Sequence, residues 1–169
     1  MKYTLNKELD KMLQHALDLC EDGNFLDALK LYDLALIEDP TNIHALIDKG
    51  VTLQNLGRIA QAITYYDKAL FVEPCNLNAL INKGASLHTR KKYDDAIQCY
   101  DTILKIDPKY AMALAYKGLS LGEQGNFTDA LKYFKKALSI NPDYDLASIS
   151  KGMVKELIKS IRLEKSKIL

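Results

Sequence analysis

Three histidines and three cysteines are the side chains here best suited to holding a metal or supplying a nucleophile: His15, His44, His88, Cys20, Cys75 and Cys99. The cysteines are odd in number, far apart and free of any Cys-x-x-Cys spacing, so they read as free thiols of a reducing cytosol. Cys20, Gln54 and His88 recur at intervals of 34 residues. If each belongs to its own helix, neighbouring copies stand on the order of 10 Å apart, about a helix diameter. That is too far for one shared ion. His44 and His88 fall at opposite ends of equivalent helices and cannot share a metal either. No Ser-His-Asp set, phosphate loop or paired-carboxylate pocket is visible. The loop Arg90–Asp95, RKKYDD, carries compensating charges and reads as solvated. The remaining chemistry is recognition, with no catalytic residue, metal or cofactor expected.

Bulk properties narrow the partner. Lysine and arginine total 23 against 22 aspartate and glutamate, which excludes the basic footprint of a nucleic-acid binder. The first residues, MKYTLNKELDKMLQ, lack the apolar run of a signal peptide, and no stretch has the apolar length of a membrane span. A cytoplasmic protein with no nucleic-acid or membrane partner is expected.

The elements that must position these residues follow one period. All four prolines, Pro40, Pro74, Pro108 and Pro142, stand 34 apart, which divides the chain into 9–42, 43–76, 77–110 and 111–144. Counting from each start, position 20 is always alanine, position 24 is Tyr32, Tyr66, Tyr100 or Phe134, and position 8 is Ala16, Gly50, Gly84, Gly118 and then Gly152. Every glycine but Gly122 lies at position 8 or 15. Apolar spacing predicts two helices per unit. Glycine ends the first in a left-handed turn, and proline ends the second. Small residues at positions 8, 20 and 27 let two backbones approach, and the aromatic at 24 fills the space between them.

With these residues the chain resembles the tetratricopeptide-repeat family, of archaeal or bacterial type, with aromatic, small and proline residues at these offsets. The resemblance covers 9–144 as four repeats, with 1–8 an extension beginning the first helix and 145–169 a closing helix. It implies an all-α, right-handed superhelical solenoid of antiparallel helix pairs. Departures are leucine or Met12 at position 4, Ile103 at position 27, and Lys91 where glycine is expected. A non-glycine residue in a left-handed turn costs about 1 kcal/mol, so the third repeat is expected to be the least regular. Leu146, Ile149, Met153, Leu157 and Ile161 form a stripe on the closing helix, with lysines on its other faces, as capping requires.

The resemblance also implies that positions 2, 5, 6, 9, 12 and 13 of the first helices line a concave groove. Those offsets share one helix face. Here they include Asp10, Leu13 and Leu17; His44, Ile47, Asp48 and Val51; Asn78, Ile81, Asn82 and Ala85; and Met112, Ala115, Tyr116 and Leu119. Positions 5 and 9 are apolar throughout, and the only charges in the set are Asp10, Glu21, Asp48 and Glu123. An adaptor is expected, binding an apolar protein segment with neutral or basic flanks. The lysine–asparagine–arginine clamp by which some family members grip chaperone-tail carboxylates is absent, because Leu13 and Leu17, or Ile47 and Val51, stand where it starts. Two alternatives remain open: the apolar residues contact one another or the closing helix, or the groove or that helix meets a second copy to make a homodimer.

A lysine precedes the position-8 glycine in Lys49, Lys83, Lys117 and Lys151, and an aspartate at position 25 of the preceding second helix lies antiparallel to it. The pairs Asp33–Lys49, Asp67–Lys83 and Asp101–Lys117 are expected, against the alternative of solvated lysines. A fourth pair would set Lys135 against Lys151, like against like.

Overall fold

The computed structural model describes residues 2–168, and the side chains of residues 7–159. Among them nine helices follow one another: α1 (Lys2–Glu21), α2 (Phe25–Glu38), α3 (Ile43–Asn55), α4 (Ile59–Val72), α5 (Leu77–Thr89), α6 (Tyr93–Ile106), α7 (Ala111–Glu123), α8 (Phe127–Ile140) and α9 (Asp145–Ile168). The chain divides inside α5 into two compact units, Met1–Ser86 and Leu87–Leu169.

Local chemistry sets the ends of the helices. Asn42 and Asn76 accept the amides of Ala45 and Ala79 at 3.0 and 2.9 Å, capping α3 and α5. Each first helix stops in one turn design. Gly57 (φ +73°) donates to Gln54 and Arg58 to Leu53, two bonds that close the helix around a left-handed residue. Gly23 and Gly125 repeat this arrangement. So does Lys91, at φ +59°, with Lys91 donating to His88 and Lys92 to Leu87. The expected irregularity of the third repeat is therefore absent. The two hydrogen bonds and the packed helices hold lysine in the glycine conformation.

In the first unit one cluster joins Leu13, Ala16, Ala28, Tyr32, Ala35 and Ala45, and the next is built on Leu46, Leu53, Ala62, Tyr66 and Ala69. In the second unit Leu114, Ala115, Ala130, Phe134, Ala137 and Ala147 play the same parts. The aromatic at position 24 is completely buried in every repeat. It lies against the helix backbone because position 8 is small: a methyl on Gly118 would come 2.7 Å from Phe134.

The closing helix differs from the expectation. α9 packs through Ala147, Ser150 and the half-buried Val154, while Ile149, Met153 and Leu157 are 64, 70 and 45% exposed. Neighbouring first helices approach closely enough to need small residues at the seam, so the bulky stripe turns toward solvent. The Ile161 side chain lies outside the described set. Where α3 and α7 carry Leu46, Leu53, Leu114 and Leu121 at positions 4 and 11, α9 carries Ser148 and Lys155, and nothing stands within 4 Å of Gly152. That outer face of α9 is polar where those of α3 and α7 are apolar.

Candidate functional site

Each expected lining residue sits on a first helix, but they are not equally presented. At position 2, Asp10, His44, Asn78 and Met112 are exposed. At position 6, Asp48, Asn82 and Tyr116 are half-buried. At position 9, Leu17 is 37% exposed, and Val51, Ala85 and Leu119 are half-buried. At position 5, by contrast, Leu13, Ile47, Ile81 and Ala115 are buried. The apolar floor expected at positions 5 and 9 is thus reduced to position 9. The reason is the adjacent first helix: Leu13 shares a cluster with Ala45 of the next repeat, and Ala115 with Ala147 of α9. A periodicity argument treats each helix singly and does not see this cover.

The charges on this face have consistent surroundings. Burial pushes the Asp48 carboxyl above the usual aspartate range, and His44, one turn earlier, pulls it back. Burial lowers His88, while Glu123 opposes that. The His88 ring meets Tyr93 edge-on at 5.3 Å, and the Tyr93 hydroxyl donates to Glu123 at 3.4 Å. Among the described residues, no three His, Cys, Asp or Glu side chains are grouped to hold a metal ion.

Beneath position 9 runs a polar seam that sequence reasoning missed. Gln54 accepts from Tyr66 at 3.1 Å and from Ser86, in the next repeat, at 2.9 Å. Thr52 donates to the Asp48 carbonyl at 2.8 Å, which leaves the Cys20 thiol to donate to Thr52 at 3.2 Å. His88 Nδ1 lies 2.9 Å from the Ser120 hydroxyl. Position 12 is therefore a connector between its own repeat and a buried hydroxyl at position 10 of the next. The signal was legible: Thr52, Ser86 and Ser120 recur on a face that is otherwise apolar. The last repeat abandons the device altogether, with Phe134, Gly122 and Val154 at the three places.

One member of the seam is imperfect. The Tyr100 hydroxyl is buried without a hydrogen-bond partner, and its ring stacks on Tyr116 at 5.9 Å. An unsatisfied buried hydroxyl costs more than no hydroxyl. Tyr100→Phe is therefore expected to raise stability by about 1 kcal/mol, and Tyr66→Phe, which breaks a made bond, to lower it by about as much. Urea unfolding of the two variants checks the opposite signs.

The position-7 lysines form the second feature. Lys49 bonds Asp33, Lys83 lies 2.6 Å from Asp67, and Lys117 bonds Asp101, so all three expected pairs are present. Lys49 also donates to the Tyr65 hydroxyl at 2.7 Å and lies 4.3 Å from that ring's centre; Lys117 lies 4.5 Å from the Tyr133 ring. Lys49 and Lys117 are only 5 and 9% exposed. Lys83, in the repeat with Cys99 in place of that tyrosine, is less buried. Burial alone would lower the Lys49 and Lys117 pKa values; the hydrogen bonds to aspartate and tyrosine outweigh it and hold both above the ordinary lysine range.

Helix pairs packed through a small–aromatic–small interface define a helical-repeat interaction module. Tetratricopeptide-repeat models match residues 43–74, 77–110 and 111–144, and the chain belongs to the tetratricopeptide-repeat family. Members of this family are in general non-catalytic scaffolds for protein–protein interaction. Solved structures share the fold. A crystal structure of MamA protein aligns over 96% of this chain and 88% of its own, at 23% identity and a TM-score of 0.81. PilF of Pseudomonas aeruginosa aligns over 92% of this chain and 71% of its own, at 23% identity and a TM-score of 0.82. A tetratricopeptide repeat protein from Parabacteroides merdae covers 91% of this chain with 61% of its own, at 20% identity and a TM-score of 0.80. At these identities the likeness concerns the fold alone. A search of curated protein sequences returns no match. Among the described residues no helix is long and apolar enough to cross a membrane.

Proposed function

We propose that the chain is a non-catalytic adaptor whose first-helix faces bind an apolar peptide or helix segment with neutral or basic flanks, in the cytoplasm. The carrying observation is chemical: the open residues at position 9, Leu17 foremost, lie on faces whose charged lining positions are all carboxylates. Asp10, Glu21 and Asp48 supply them in the first unit and Glu123 in the second. Apolar anchors of a ligand would cover position 9 while its lysines or arginines face these groups, as in helix-in-groove recognition. We also read 9–42 as a first repeat, on its shared turn and aromatic.

Helical peptides of alanine, glutamine and lysine carrying a Phe and a Leu one turn apart, and counterparts with glutamate for lysine, test this reading by fluorescence anisotropy. The lysine set is expected to bind more tightly. Leu119→Asp should weaken it about tenfold, the equivalent of about 1.4 kcal/mol. Preference for the glutamate set would reverse the charge argument. A concentration-independent dimer in light scattering would replace the adaptor by self-association through the same faces.

A further inference from the structure

Gly122 is the one glycine outside the repeat pattern. Five glycines of that pattern have evident reasons: Gly23, Gly57 and Gly125 take left-handed φ angles, and Gly50 and Gly118 lie under aromatic rings, while Gly152 faces open space. Gly122 has neither. It is inside α7, and a methyl placed on it would meet only Ala130 and Val154, at 3.8 and 3.9 Å, ordinary contact distances. After proline, glycine is the poorest helix former, so nothing in the fold itself calls for it there.

What its missing side chain does is leave a hole. Position 12 elsewhere holds Cys20, Gln54 or His88, each reaching across to the next repeat. Here the space stays open as a pocket of about 330 Å³ between α7, α8 and α9, lined mainly by Leu119, Phe127, Phe134, Met153, Val154 and Leu157. Among the described residues, the polar side chains at its edge are Glu123 and Ser150, and no lysine or arginine lines it. The exposed Ile149–Met153–Leu157 stripe of α9 runs beside it at helical spacing.

We infer that this notch over Gly122 is the anchoring site for a partner segment that inserts one large apolar side chain there and sets a lysine or arginine against Glu123. The inference rests on the adaptor reading and deepens it: position 9 supplies shallow contact, whereas the notch supplies the depth in which a binding hot spot is concentrated. The commitment to a basic-flanked partner comes from the Glu123 carboxylate, the charged group among the described residues at the rim. A second copy of the chain is the competing occupant.

The test fills the hole without damaging the fold. Gly122→Ala should raise the melting temperature, since the methyl fits and the helix gains, and weaken the lysine–Phe–Leu peptide severalfold. Gly122→Leu, which occupies the notch, should abolish that binding. In NMR titrations the Gly122 amide and the methyls of Leu119, Val154 and Leu157 should shift when the wild type meets the peptide. Glu123→Gln should weaken the lysine peptide and, by removing a like charge, narrow its advantage over the glutamate counterpart. Unchanged affinity in Gly122→Leu, while Leu119→Asp still loses it, overturns the notch and spares the adaptor reading. No binding of any peptide to the wild type sinks both. A dimer that Gly122→Leu converts to monomer makes the occupant another copy and overturns the stated partner.

Discussion

A methyl group at Gly50 should cost about 2 kcal/mol, as overpacking of a filled core typically does, although alanine is intrinsically the better helix former by about 1 kcal/mol. The methyl would be driven into the edge of the Tyr66 ring, which is fully buried. Tyr66→Ala should cost more, about 3–5 kcal/mol, from lost burial and the cavity left behind. The combination decides the mechanism. If the glycine is there for the ring, the double variant must be less destabilised than the sum of the single ones, by about 1–2 kcal/mol, because the methyl enters space the ring has left. Additive losses in urea unfolding would mean that the two residues act separately. Gly152→Ala is the control: with nothing near it, it should stabilise by about 0.5–1 kcal/mol. Ala16 opposite Tyr32 in the first repeat shows that a pair can be built around a methyl when its packing is adjusted to it.

Removing Asp33 is the second large effect. Asp33→Ala leaves the Lys49 ammonium, 5% exposed, with only the Tyr65 hydroxyl and ring for company. Breaking a fully buried pair costs about 3–5 kcal/mol. Because Asp33 is mostly exposed and screened, about 1–2 kcal/mol is the appropriate expectation. Lys49→Met, which keeps the stem packed and removes the charge, should cost less. The sign with pH follows from the raised Lys49 pKa. The lysine's contribution is complete below the unfolded value, about 10.4, and is lost as pH rises through the higher folded value. The difference between wild type and Asp33→Ala should therefore be constant from neutral pH to about 10 and shrink above that. A gap that stays constant to pH 12 would show that the ion pair contributes nothing.

Gly50 and Lys49 also mark how far a reading of residues can go. The glycine's role could be argued from spacing, since position 8 and the aromatic at 24 recur together and only a small residue lets the two helices close. The aspartate–lysine pairs could be argued too, because antiparallel helices at a fixed period bring positions 25 and 7 together. The depth of the lysine was not accessible, because it depends on Tyr65 and Tyr133 covering the ammonium from their own repeats. Lys91 shows the opposite error: its intrinsic preference was legible, yet four packed helix pairs and two turn hydrogen bonds overrule one residue's reluctance.

Period, helix pairs and turn positions were legible in the residues alone, because each is a property of residues at fixed separations along one chain. Which apolar side chains meet water was decided only by the tertiary structure. Leu13, Ile47, Ile81 and Ala115 are covered while Ile149, Met153 and Leu157 are open, although the helical pattern presents them alike. The physical reason is that exposure belongs to a residue's neighbours in space: the adjacent first helix covers Leu13, Ile47 and Ala115, whereas α9 meets α7 and α8 through Ala147, Ser150 and Val154 and leaves its bulky stripe open.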